Sequence, residues 1–306
     1  MIKLSIQQDK GGCGKTTTAI NLAYGLSKKG YRVLLADNDP QANSTSNILK
    51  ASKPLDEKEM LEIVERFNEI KNENKNGNIL MMAKESLHQY VEKKLFEHTI
   101  SDVYMNPKII KEAIVKSEYD NLWVLPSTHE LSELDFRLKA AAFNRDTRLR
   151  EAFDMVKDDF DIVIIDNSPF TNALTFNAMT ACHEDGDQII IPISIDQFGM
   201  EGLDYTLKTL FDWIAYAPFA MNYDLKIIIG MTKRTKMCKM GIEMIHEIFG
   251  ERAFETTIRF QDKPISSSFL KKKVLLDGFS NSSIAQDYQK LIDEIDEKII
   301  RNKLNK

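Results

Sequence analysis

Residues Asp9-Lys10-Gly11-Gly12-Cys13-Gly14-Lys15-Thr16-Thr17 constrain this 306-residue chain more than any other stretch. A short apolar segment, Ile2-Lys3-Leu4-Ser5-Ile6, precedes them, and a helical pattern from Thr18 to Leu26 follows. Strand, glycine-rich loop and helix in that order are the setting of a phosphate-binding loop. The glycines let backbone N–H groups curl around an anion without Cβ clashes. The helix N-terminus adds its partial positive charge. Gly11, Gly12, Cys13, Gly14, Lys15, Thr16 and Thr17 are the candidate cradle, with Lys15 placed to reach β- and γ-phosphates and the Thr16 hydroxyl placed to ligate Mg2+.

The length allows one large α/β domain, or a domain with an insertion, and a sizeable core. A net charge of −5 excludes a globally basic nucleic-acid protein, so any DNA contact must come from a local patch. Cys13, Cys182 and Cys238 are too widely spaced for a disulfide framework or a zinc pattern, which suits a reducing cytoplasm. Cys13 reads as a small side chain that fits between two glycines, with a redox switch as the alternative. The strand beginning at Ile2 leaves no signal peptide and no N-terminal DNA-binding helix-turn-helix to expect, and no apolar run approaches a membrane span.

Further along, short apolar runs alternate with helical patterns. Ile2–Gln7, Arg32–Ala36, Leu122–Leu125, Asp161–Ile165, Gln188–Ile193 and Lys226–Gly230 are the expected strands. Runs such as Ile162-Val-Ile-Ile165 lack polar alternation, which predicts a mostly parallel, twisted sheet with helices on both faces. Binding groups then belong at the C-terminal ends of the strands. Residues from about 50 to 98 break the rhythm, being rich in Glu, Lys and Asn with helical apolar spacing at Met60, Leu61, Val64, Phe67 and Ile70. We read them as a helical insertion in a single domain spanning 1–306, either a solvated cover or a partner-binding element, with a turn or link at Asn72–Gly77.

Two more motifs follow the loop. Leu34-Leu-Ala-Asp37-Asn-Asp39-Pro40-Gln41 places two carboxylates after a strand, and Asp161-Ile-Val-Ile-Ile165-Asp166-Asn-Ser-Pro169 ends an apolar strand in an acid. A carboxylate beside a γ-phosphate can orient water while cations offset the developing charge. The loop, with its second lysine Lys10 and no glycine at Asp9, is the deviant form K-G-G-x-G-K-T-T. Together these motifs resemble the ParA family of DNA-partitioning ATPases, of the ParA/MinD superfamily. The likeness extends to Phe170–Met179, Pro192–Leu203, Met231–Lys236 and Ala285–Glu294, and so covers most of the chain outside the insertion. Ser168 departs from the family's Asp-x-Pro-Pro.

The resemblance implies a P-loop ATPase that uses ATP/ADP and Mg2+. Lys10, Lys15 and Asp39 would be catalytic, with Lys10 reaching phosphates bound by the other subunit of an ATP-dependent homodimer. Thr16, Asp37 and Asp166 would surround the metal, and Met231 and Thr232 would lie near the base. The dimer would bind double-stranded DNA non-specifically, in the cytoplasm and on the nucleoid when ATP-bound. A ParB-like centromere-binding protein would stimulate weak hydrolysis and so segregate plasmid or chromosome copies. Candidate DNA contacts are Lys233, Arg234, Lys236, Lys239, Lys271, Lys272 and Lys273, with Lys208 and Arg259 further afield.

Three rivals compete. A MinD-like membrane-surface ATPase needs a C-terminal amphipathic membrane helix. The stripe Leu291, Ile292, Ile295 and Ile299 is expected to pack on the body instead, without stable membrane association. A nitrogenase-type iron protein needs cluster cysteines, and Cys182 and Cys238 form no such motif. A non-hydrolysing ATP-dependent scaffold is disfavoured by Asp39 and Asp166.

Overall fold

The computed structural model describes residues 1–50, 57–73, 78–83, 86, 96–140, 146–170, 172–195, 204, 208 and 224–304. The chain forms two compact units, Met1–Leu49 together with His98–Lys306, and Lys50–Glu97.

Among the described residues the first unit is built on eight strands: β1 (Ile2–Ile6), β2 (Val33–Asn38), β3 (Val115–Lys116), β4 (Leu122–Leu125), β5 (Ile162–Asn167), β6 (Gln188–Ser194), β7 (Asp224–Thr232) and β8 (Ala253–Arg259). They lie in the order β3-β4-β2-β5-β1-β6-β7-β8. Every pairing is parallel except β3 with β4. The central strands are buried on both faces, as their unbroken apolar runs require. Alternate residues serve opposite cores. Val33 and Leu35 pack towards α1 (Lys15–Lys28), whereas Leu34 and Ala36 join the core of the other face.

The mostly parallel, helix-covered sheet agrees with the sequence. Two strands do not appear in its periodicity. β3 has only two residues, the second exposed, and β8 (Ala-Phe-Glu-Thr-Thr-Ile-Arg) is an edge strand with mixed polarity. Asp37 and Asp166 lie inside the ends of β2 and β5 rather than after them, and Met231 and Thr232 are still within β7. Ile195 ends the described part of Pro192–Leu203; residues 196–203 lie outside the described residues.

Further helices of this unit are α2 (Asn43–Leu49), α4 (Ile100–Met105), α5 (Leu131–Ala140), α6 (Arg148–Asp154), α7 (Ala173–Ala181), α8 (Lys236–Phe249), α9 (Asp262–Lys271) and α10 (Ser283–Ile295), while α3 (Glu57–Glu73) belongs to the second. α10 lies against α1 so closely that a Cβ on Gly25 would come 2.2 Å from Ile292 Cδ1. Leu291, Ile292, Ile295 and Ile299 are buried in that core. Among the described residues no helix is long and apolar enough to cross a membrane.

The second unit, taken by itself, contains α3. Ile70 is buried, but Met60, Leu61 and Val64 are more than half exposed, so the apolar spacing produces a helix without burying its whole stripe. Residues 74–77 of the expected turn lie outside the described residues.

One buried ion pair fastens the N-terminal end of the sheet. The Lys3 ammonium donates to Asp187 Oδ2 at 2.9 Å and the Lys3 N–H donates to Oδ1 at 2.8 Å, with both side chains 1% exposed. Breaking a buried pair strands the remaining charge. Lys3→Met should therefore lower unfolding stability by about 3–5 kcal/mol, read from urea denaturation; a loss within about 0.5 kcal/mol, as for a plain surface change, would refute this anchoring role. Gly25→Leu should cost about 1–3 kcal/mol by overpacking against α10, measured the same way.

Candidate nucleotide site

The loop after β1 turns through Gly12 and Gly14, at φ of +76° and +90°. Gly14 caps α1 in the left-handed conformation, which only glycine adopts without strain. The Lys15 ammonium donates to the Lys10 carbonyl at 3.1 Å, and the Cys13 thiol donates to the same oxygen at 3.3 Å. Burial pushes the Cys13 thiol above its ordinary range, which favours the packing role over a reactive thiolate. A cavity of about 570 Å³ opens over this loop. Its wall takes in Gly11, Gly12, Cys13, Gly14, Lys15, Thr16 and Thr17, while Lys10 stands outside that wall.

Two acids lie behind the cavity. β2 and β5 pair in register, so Asp37 and Asp166 are direct neighbours, both fully buried. Asp37 Oδ2 accepts from the Thr45 N–H at 2.7 Å and the Thr45 hydroxyl at 2.8 Å, and its Oδ1 accepts from the Asp39 N–H at 3.3 Å. Burial, and then the charge of Asp166, raise Asp37 to about 8. Asp166 Oδ2 accepts from the Ser44 hydroxyl at 2.6 Å. Burial raises Asp166 to about 6, tempered by the Ser44 and Thr16 hydroxyls.

These oxygens fit a hard divalent cation. Asp166 Oδ1 is buried with no hydrogen-bond partner, and the donors around it are a carboxylate pair and the Thr16 hydroxyl. Thr16 and Asp166 could hold Mg2+ directly or through water, with Asp37 behind them.

Asp39 follows β2, lines the cavity and is buried. Its Oδ1 accepts from the Gln41 N–H at 2.8 Å, and its carbonyl accepts from the Ser127 hydroxyl at 2.8 Å. Ser127 also donates its N–H to Thr45 Oγ1 at 2.9 Å, tying the Asp37 support to the same turn.

Away from the glycines the cavity becomes apolar, with Ile258, Ile265, Ile284 and Tyr288 in its wall. Tyr288 and Thr18 share a hydroxyl hydrogen bond at 3.2 Å, which links α10 to α1 behind the loop. Ile258, Ile265 and Ile284 belong to no motif in the sequence, and Tyr288, although within the Ala285–Glu294 likeness, is not among the site residues which that likeness implies. Met231, at φ +52° where the β7–β8 pairing shifts register, lines this cavity, but Thr232 does not.

Thr232 lines a second cavity, of about 930 Å³, together with Lys233, Arg234, Lys236, Lys239 and Arg259. Lys290, which the sequence did not point to, joins them. Arg259 is held in a two-pronged pair with Asp287, both contacts at 2.6 Å, so much of its charge is already compensated. Lys271, Lys272 and Lys273 lie elsewhere, around the end of α9, with the Lys271 ammonium 5.7 Å from the Phe279 ring centre. Lys208 is exposed and lies outside this cavity wall.

Comparison with known proteins agrees with this geometry. A family model described as AAA domain (AAA_31) matches residues 1–227. The sporulation initiation inhibitor protein Soj of Bacillus subtilis is 28% identical over 259 residues, which cover 83% of this chain and 83% of Soj. The chromosome partitioning protein ParA of Caulobacter vibrioides is 28% identical over 298 residues, 95% of this chain and 92% of that protein. In fold, a cobyrinic acid a,c-diamide synthase from Mycobacterium smegmatis, solved with an ATP analogue and magnesium, is similar with a TM-score of 0.67 at 20% identity, covering 96% and 93% of the two chains. With three-quarters of its length matched by the AAA domain family and nearly all of it aligned with a ParA, this chain belongs to the ParA family of partition ATPases.

Proposed function

We propose that this protein is an Mg2+-dependent ATPase that closes into an ATP-sandwich homodimer, binds duplex DNA non-specifically, and is reset by a ParB-like centromere-binding partner, so that plasmid or chromosome copies are segregated. The observation that carries the reading is convergence. The glycine loop, Asp39 and the Asp37/Asp166 pair, from three separated parts of the sequence, meet at the C-terminal ends of β1, β2 and β5.

Each group then has a task. The loop N–H groups and Lys15 would bind the β- and γ-phosphates. Thr16 and Asp166 would hold Mg2+, which supplies charge neutralisation at those phosphates. Asp39, fixed by the Gln41 amide, would orient the attacking water. Lys10, whose carbonyl accepts from the Lys15 ammonium beside the loop, would reach phosphates held by a second subunit. A cation given in trans ties dimerisation to nucleotide state. Lys233, Arg234, Lys236 and Lys239 share one concave surface, which supports phosphate-backbone binding without base readout. A dimer would present that surface twice and gain avidity. The buried C-terminal stripe argues against the membrane-surface alternative.

Lys15→Ala should abolish ATP binding or turnover. Asp39→Ala should keep ATP affinity within about twofold and retain dimerisation, yet lower hydrolysis by about 100-fold or more; normal turnover in that variant would remove Asp39 from the mechanism. Binding to random-sequence duplex DNA, measured with ATP, ADP or no nucleotide at two salt concentrations, should be tight and salt-sensitive with ATP alone. Lys233→Ala or Lys239→Ala should weaken it evenly across sequences and reduce the salt slope by about 1 each. No binding in any state would turn the interpretation towards a membrane surface, tested next with anionic liposomes.

A further inference from the structure

On the face of the sheet opposite the two acids, a continuous chain of buried polar side chains crosses the three strands that carry the site. Asn38 and Asn167 pair in register one step beyond Asp37 and Asp166. Strand alternation therefore turns them away from the acids. The Asn38 amide donates to Asn167 Oδ1 at 2.8 Å and to the Leu174 carbonyl at 3.1 Å. Asn38 Oδ1 accepts from the Tyr104 hydroxyl at 2.8 Å. The Asn167 amide donates onward to Ser5 Oγ at 2.9 Å and to the Ile6 carbonyl at 3.0 Å. All four side chains are 0–1% exposed.

The sequence positions of these residues point to a task beyond stability. Asn38 stands between Asp37 and Asp39, Asn167 directly follows Asp166, and Ser5 and Ile6 end the strand that enters the phosphate loop. Backbone ladders already hold β2, β5 and β1 together, and apolar side chains would pack such a layer without the desolvation that buried amides suffer. What amides add is a fixed relative placement, because each partner must sit within hydrogen-bond reach. Tyr104 is the one member outside the site strands. It comes from α4, whose first turn is set by the Thr99/Asp102 capping box. The Ile100 N–H also donates to the Pro126 carbonyl at 2.8 Å, next to Ser127, which holds the Asp39 carbonyl.

We infer that Tyr104, Asn38 and Asn167 are positioning residues for the hydrolytic step, holding Asp39, Asp166 and the phosphate loop in one register. The inference rests on the ATPase reading above. Positional errors near 1 Å at reacting groups cost about 100-fold in rate, so partial loosening should show in turnover before it shows in nucleotide binding.

The test compares Tyr104→Phe with Tyr31→Phe, which loses a 2.7 Å hydroxyl bond to Asp296 far from the site. Three quantities are read beside the melting temperature: kcat against ATP Kd, the Mg2+ concentration that half-saturates binding of a fluorescent ATP analogue, and hydrogen exchange at Asp37–Gln41. Tyr104→Phe should lower kcat about tenfold or more, leave ATP Kd within about twofold, raise the Mg2+ requirement and speed exchange at Asp37–Gln41. Tyr31→Phe should move the melting temperature alone. If Tyr104→Phe behaves like Tyr31→Phe, the layer is structural and the inference falls. Ser5→Ala, at the other end of the chain of bonds, should shift the same readouts in the same direction, and it decides the matter should Tyr104→Phe fail to fold. A wild-type protein that binds Mg-ATP without turnover on DNA would count against the ATPase reading, while the Mg2+ and exchange readouts would still decide the layer.

Discussion

Two carboxylates buried shoulder to shoulder are the constraint around which this structure is arranged. Asp37 and Asp166 sit on adjacent strands at the same register level, out of water, where each makes ionisation of the other harder. Such a pair is tolerable only with donors aimed at it or a cation beside it. Thr45 and Ser44 supply the donors from α2, which explains why the helix after β2 folds back over the strand end. The positive end of α1 and Lys15 face the same region from the other side. The parallel register of β1, β5 and β2 brings these groups together.

Much of this was legible in the sequence because the informative signals are local. The phosphate loop declares itself by glycines, lysine and threonines between a strand and a helix. Asp37, Asp39 and Asp166 declare themselves by ending apolar runs. What stayed hidden depends on long-range placement. Tyr104, Asn38 and Asn167 meet over separations of 66 and 129 residues, and nothing in their spacing announces it. β8 escaped because an edge strand need not be apolar on both faces. Thr232 and Met231 look equivalent in sequence, yet one step along β7 sends them to different cavities.

Those two cavities share a wall. Arg259 borders both, its Asp287 partner lines the second, and Tyr288, next to Asp287, lines the first and reaches Thr18 behind the phosphate loop. The strand β8 and helix α10 that form this wall come from the final quarter of the chain. They are therefore the elements through which an altered nucleotide cavity would most directly be felt at the basic surface.

The interval Lys50–Glu97 has a different kind of consequence. It leaves the main unit after α2 and returns before α4, so every strand of the sheet, the phosphate loop and the closing helix lie outside it. Closing a longer loop costs little, with each doubling of length adding about 0.6 kcal/mol. Evolution can thus lengthen, shorten or exchange this interval at small thermodynamic expense while the chemistry is inherited intact, which makes it the natural place for lineages that share one engine to diverge.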